Sequence, residues 1–266
     1  MDIPEDYLET NKATWNDKVD YHIASDFYQM DAFLNGESTL NDIELTLLGP
    51  VSGKKILHLQ CHFGQDTISL ARMDAKVTGI DLSDKAIAKA TEYAQQMNID
   101  ATFICSDVYD LPNHLDGQFD IVFTSYGTIG WLPDLNKWAK VVNHFLKPGG
   151  KFVFVEFHPV VWMFDSNFTE IQYDYFNTET IIESATGTYA DKEAPIKNES
   201  VSWNHPLTEV MSALIQHNLE INIFEEYNYS PYPCFNEVEA FAPNKFRIKH
   251  LGNKLPMTYS IVATKK

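Results

Sequence analysis

A turn and two carboxylates carry the chemistry-bearing pattern of this chain. The turn is Gln60-Cys61-His62-Phe63-Gly64, at the end of the apolar run Lys54 to Gln60. A helix-like segment, Asp66 to Met73, follows it. Asp81 closes a second apolar run in Thr78-Gly79-Ile80-Asp81-Leu82-Ser83, and Asp107 closes a third in Cys105-Ser106-Asp107-Val108. A strand, a turn, a helix and a second strand tipped by a carboxylate suit a nucleoside. The turn takes one end and the carboxylate accepts from the ribose hydroxyls. Asp107 could accept from an exocyclic amine of a purine. Gly64 supplies a permissive backbone at the end of the turn, and Asp66 opens the helix where free N–H groups gather. Each feature has a plainer reading. The turn is also any strand–helix junction, Asp81 could start the next helix, and Asp107 could cap one. Three strand-end positions in register favour a ligand site over three coincidences.

The histidines admit further chemistry. His158 ends an apolar run in Glu156-Phe157-His158-Pro159, and His205 lies in Trp203-Asn204-His205-Pro206. Either could act as a general base, because imidazole titrates near neutrality. A structural histidine beside a turn proline is the alternative. Glu156 and Tyr126 are further candidates. His58, Cys61 and His62 lack regular zinc-ligand spacing, so no metal is expected. The aromatics Trp15, Tyr21, Phe27, Tyr28, Trp131, Trp162 and Trp203 either fill the core or offer ring faces to a cationic ligand. Trp15, His22 and Phe27 are the expected lid residues over the site.

The elements that must position these residues alternate. Strands are expected at Lys54 to Gln60, Lys76 to Ile80, Ala101 to Cys105, Phe119 to Thr124 and Lys151 to Phe157. Helices are expected at Asp66 to Met73, Ser83 to Met97 with Ser83 as N-cap, and Asp134 to Leu146. Pro148-Gly149-Gly150 reads as a turn. Such alternation implies βαβ units and a mostly parallel sheet. Helical spacing and aromatics mark residues 1–50 as a cap. The core spans 51–158, and a β-rich insertion 159–205 contains a hairpin or small antiparallel layer within 168–202. A closing segment, 206–266, holds a helix at Leu207 to His217 and strands at Leu219 to Tyr227 and Met257 to Thr264. The stretch from Pro231 to Pro243 reads as a loop. All of this forms one domain.

Composition bounds the partners. The chain has 266 residues, 44% hydrophobic and 21% charged, with a formal net charge of -17. Nucleic acid and anionic membranes require clustered Lys and Arg, and no such cluster occurs. No apolar run approaches the roughly 20 residues of a membrane span. The acidic start lacks a signal-peptide pattern, so the cytoplasm is expected. Three scattered cysteines suggest no disulfide framework. Nothing in the pattern speaks to oligomeric state.

The ordered set resembles the class I S-adenosylmethionine-dependent methyltransferases. The matching pieces are Leu57 to Gly64, Gly79 to Ser83, Ser106-Asp107-Val108, Phe119-Asp120-Ile121-Val122 and Leu146-Lys147-Pro148-Gly149-Gly150. With Tyr126-Gly127 and Trp131-Leu132-Pro133, the first is similar to a bacterial branch acting on small molecules. The resemblance implies a Rossmann-like sheet of seven strands, mostly parallel, with helices on both faces. It implies that the backbone of Gln60, Cys61, His62 and Gly64, with Gln65 and Asp66 beyond, holds the methionine part of S-adenosylmethionine. Asp81 would hold the ribose. Asp107 and Val108 would flank the adenine, with Leu82 on its other face, while Ser125 and Tyr126 border the methyl group. The implied activity is methyl transfer to an O, N or S nucleophile of a small molecule, with His158, His205 and Tyr126 as catalytic candidates. The alternatives are a cofactor-binding sensor without activity and a nicotinamide-dependent oxidoreductase. The missing Gly-x-Gly-x-x-Gly argues against the oxidoreductase. Where the family carries an acid and two glycines, this chain has His58, Gln60 and His62.

Overall fold

Runs of Ile, Val, Leu and Phe without polar alternation make strands that need cover on both faces. The computed structural model, which describes residues 2–266, supplies that cover. Three helices come first: α1 (Tyr7–Ala24), α2 (Met30–Leu34) and α3 (Asp42–Leu48). Then follow β1 (Lys55–Leu59), α4 (Gln65–Arg72), β2 (Lys76–Asp81), α5 (Asp84–Gln96), β3 (Ala101–Cys105), β4 (Phe119–Ser125), α6 (Leu135–Phe145) and β5 (Leu146–Phe157). A hairpin of β6 (Ile181–Thr186) and β7 (Lys197–Ser202) precedes α7 (Leu207–Gln216) and β8 (Leu219–Tyr227). A second hairpin, β9 (Val238–Ala242) and β10 (Lys245–Ile248), leads to β11 (Thr258–Lys265).

The main sheet has seven strands in the order β3-β2-β1-β4-β5-β11-β8. The first five run parallel, and β11 is antiparallel to both β5 and β8. Successive side chains point to opposite faces. Leu57, Val122 and Phe154 therefore pack on Trp138 and Phe145 of α6 and Leu214 of α7. Their neighbours Ile56, Ile121 and Val153 pack on Leu47 of α3 and Leu70 of α4. Strand order reverses between β1 and β4, which opens a crevice at their carboxyl ends. The amino-terminal cap and the insertion together roof that crevice. Asn11 of α1 behaves like a strand partner of β7: its Nδ2 donates to Val201 O at 2.8 Å and its Oδ1 accepts from Val201 N at 2.9 Å. Thr14 Oγ1 donates to Glu199 O on the same strand.

Several sequence expectations need correction. The stretch ending at Pro243 is not all loop, because β9 and β10 pair across it. Pro243 sits in the hairpin turn, and Asn244 follows in a left-handed conformation (φ 52°); these are turn residues, and the strands lie on either side. The hairpin of the insertion begins only at Ile181, so the alternating Tyr173 to Phe176 forms no strand. The segment Pro148-Gly149-Gly150 is a register break inside β5, where pairing with β4 passes from Leu146 to Lys151. The N-cap holds, since Ser83 Oγ accepts from Ala86 N at 3.0 Å.

Candidate active site

The turn after β1 keeps a glycine-like backbone without the glycines. Gln60 and His62 both lie in the left-handed region (φ 55° and 50°), followed by Gly64 at 82°. A residue with a Cβ loses about 1–2 kcal/mol there. Contacts to the walls offset the loss. Gln60 Nε2 donates to Thr128 O at 2.8 Å, tying the turn to the loop after β4. The His62 ring lies 2.9 Å from His22 Nδ1 through its Nε2, with the Trp15 ring at 5.3 Å and Phe63 at 4.3 Å. Gly64 is required for space as well as for φ, because a Cβ would stand 2.7 Å from Phe103 and 2.8 Å from Ala90. His58 faces the core, with Nδ1 2.8 Å from Thr67 Oγ1. Burial pushes its pKa down to about 3, so it is neutral.

The strand ends converge. Asp81 Oδ2 accepts from His62 N at 2.8 Å and Oδ1 from Ser83 N at 2.9 Å. Burial raises its pKa to about 6 against those N–H groups, which favour the carboxylate. Each oxygen retains a second lone pair. Burial likewise raises Asp107. Val108 is buried in the core beneath it. Gln65 Nε2 donates to Tyr28 O at 2.9 Å, and Asp66 accepts from Thr39 Oγ1 at 2.5 Å while burial raises its pKa. From Gln60 to Ser125, every residue expected to hold the cofactor lines one cavity of about 890 Å³. That is the upper part of the ~300–1,000 Å³ range of small-molecule sites.

The catalytic candidates fare differently. Tyr126 lines the cavity, and its hydroxyl donates to Glu44 Oε2 at 2.9 Å. Burial and the nearby carboxylate push the phenol well up, so it stays protonated. His158 is not among the lining residues. Its Nε2 meets Glu226 at 2.9 Å, its Nδ1 accepts from Val160 N at 3.2 Å, and burial lowers its pKa. His205 borders the cavity but is 3% exposed, with Nε2 on Leu132 O at 2.8 Å and Nδ1 on Glu209 at 3.0 Å. Neither ring leaves a nitrogen free to take a proton from a ligand, which corrects the general-base expectation for both: they brace turns.

Sequence patterning offered Glu156 as a candidate and missed Glu44 altogether. Glu156 gathers N–H groups of Thr128 and Ile129 at 2.7 and 3.2 Å and also that of Gly127, so it shapes the loop after β4. Glu44, wholly buried on α3, carries a pKa raised to about 7 by burial and by Asp66. Of the lid residues, Trp15 and Phe27 line the cavity, whereas His22 stands behind His62. Burial lowers both histidines, His22 to about 3. A neutral pair joined by one hydrogen bond leaves one ring donor and one ring acceptor over, and His22 Nε2 and His62 Nδ1 are indeed buried without partners. No trio of His, Cys, Asp or Glu among the described residues is arranged to hold a metal ion. No helix among them is long and apolar enough to cross a membrane.

Comparison with known proteins agrees with this geometry. A family model described as a methyltransferase domain matches residues 56–150. The chain is 36% identical over 133 residues to an uncharacterized methyltransferase of Synechocystis, covering 49% of this chain and 60% of that protein. It is 28% identical over 131 residues to a ubiquinone biosynthesis O-methyltransferase of Chromobacterium violaceum, covering 48% and 56%. It spans little more than half the length of these curated relatives. The crystal structure of an S-adenosylmethionine-dependent methyltransferase from Mesorhizobium loti shares the fold, with TM-score 0.58 at 21% identity over 87% of this chain and all of that one. The cavity suits S-adenosylmethionine. Asp81 has lone pairs for two ribose hydroxyls, and Gln60 Oε1 is a buried acceptor without a partner.

Proposed function

We propose that this protein is an S-adenosylmethionine-dependent methyltransferase that moves a methyl group to an O, N or S nucleophile of a small cytoplasmic molecule by in-line displacement. One observation carries the reading: the strand-end residues from β1, β2, β3 and β4 line a single cavity roofed by α1 and the insertion. When bound, S-adenosylmethionine supplies an electrophilic methyl carbon on a sulfonium. Asp81 accepts from the ribose hydroxyls. Asp107 accepts from the adenine amine, with Val108 and Leu82 against the ring. The turn from Gln60 to Gly64, with Gln65 and Asp66 beyond it, holds the methionine part. Ser125 and Tyr126 border the reacting carbon. Past them the wall is aromatic, with Phe157, Trp162, Tyr232 and Phe235. A wall of ring faces orients a compact acceptor, and orientation supplies most of the acceleration. With His158 and His205 engaged elsewhere, a proton lost by the acceptor leaves to solvent. The relative named as an O-methyltransferase supports an oxygen nucleophile.

Titration calorimetry with S-adenosylhomocysteine tests the site. Two hydroxyl bonds to a carboxylate are together worth about 3 kcal/mol, so Asp81→Ala should weaken binding about 100-fold. Absence of binding by the unmodified protein sinks the proposal. Incubation with S-adenosylmethionine and a metabolite extract should then add one methylene's mass to one compound. Binding with no methylated product would instead favour a cofactor sensor.

A further inference from the structure

An ammonium set among side chains without hydrogen-bond partners is only partly compensated, and a half-buried one faces this cavity. Lys18 is the only Lys or Arg among the residues that line it. It makes no hydrogen bond or ion pair with any described residue; instead its Nζ lies 4.8 Å from the centre of the Trp15 ring and 5.8 Å from that of Trp131. Ring faces compensate an ammonium only in part, about 0.5–2 kcal/mol, and leave its three donors unused. Burial lowers its pKa to about 8, the response of an unpaired cation.

The position of Lys18 indicates what completes it. Trp15, Lys18 and His22 share one face of α1 by their three- and four-residue spacing. Trp15 touches both sides of the crevice, with ring centroids 5.3 Å from His62 and 5.4 Å from Trp131. Lys18 thus faces the place where the turn after β1 meets the loop after β4 through Gln60 and Thr128. In the function proposed above, on which this inference rests, the amino-acid end of the cofactor lies there. That end is a zwitterion. Its ammonium needs acceptors, and Gln60 Oε1 and Asp66 are at hand. Its carboxylate needs a cation. The N-terminus of α4 would be an alternative seat, but the Asp66 carboxylate already stands in that first turn. The histidines beside Lys18 are kept neutral by burial.

We propose that Lys18 pairs with the α-carboxylate of S-adenosylmethionine, its ammonium steered by Trp15 and Trp131, so that α1 reads the amino-acid end of the cofactor. Two probes separate this contact from the rest of the site. S-adenosylhomocysteine carries the amino-acid group, and 5′-methylthioadenosine has the same nucleoside and thioether without it. By calorimetry, Lys18→Met should weaken S-adenosylhomocysteine at least about tenfold and leave 5′-methylthioadenosine within about twofold. Lys18→Arg should recover part of the loss. Unchanged S-adenosylhomocysteine affinity in Lys18→Met overturns the inference. So does an equal loss for both probes, which would report a damaged roof. If the unmodified protein binds 5′-methylthioadenosine but not S-adenosylhomocysteine, the Lys18 contact fails while the nucleoside site stands. If it binds neither, the reading of the cavity itself fails.

Discussion

Replacing Gln60 by alanine and by glycine should reverse the usual order of the two residues. Gln60 holds φ 55° and one hydrogen bond, from Nε2 to Thr128 O at 2.8 Å. Both substitutions remove that bond, at a net cost of about 1 kcal/mol. Both also remove the unpaired Oε1. They differ only in the backbone. Alanine keeps a Cβ and with it the left-handed penalty of about 1–2 kcal/mol. Glycine escapes that penalty but loses about 0.4–1 kcal/mol through the greater freedom of its unfolded chain. Gln60→Gly should therefore be more stable than Gln60→Ala by about 0.5–1 kcal/mol, and should lie close to the unmodified protein. At an ordinary interior position alanine leads by a similar amount. Urea midpoints at constant m give the difference directly. If Gln60→Ala equals or exceeds Gln60→Gly, the turn does not hold the left-handed geometry, and the contact to Thr128 does not stand in for a glycine.

Two further outcomes follow from buried groups. The Glu44 carboxyl has a folded pKa of about 7 against about 4.5 unfolded. Its stabilising contribution is complete below about pH 4.5 and fades as pH rises through 7, a loss of up to about 3 kcal/mol. Glu44→Gln should thus gain stability relative to the unmodified protein across that window, and a constant difference in thermal midpoint from pH 5 to 8 would contradict the assignment. His158→Gln and His205→Gln should each lose about 1–3 kcal/mol of stability through their buried partners, yet leave the pH profile of kcat/KM unchanged. A hundredfold fall in kcat at unaltered stability would restore either ring as the base.

The layered α/β core follows from local pattern alone. Strand and helix patterns are local, and each apolar run had to become a covered strand whatever surrounded it. The ends of those strands are legible for the same reason, and with them the turn at Gln60, Asp81 and Asp107. How distant segments meet depends instead on the folded chain. Lys18 and Tyr232 come from separate stretches with no shared periodicity, and they line one cavity, with Glu44 behind Tyr126, only because α1, α3 and the loop before β9 close over the crevice. His158 and His205 were visible as candidates, but the partners that occupy their nitrogens lie 68 and 73 residues away in the chain. The oddity of Gln60 and His62 divides in the same way. Their identities announced a departure from glycine. That the departure leaves the turn intact depends on φ values and on contacts to Thr128 and His22, because a residue's tolerance of a strained backbone is set by what its side chain can hold across space.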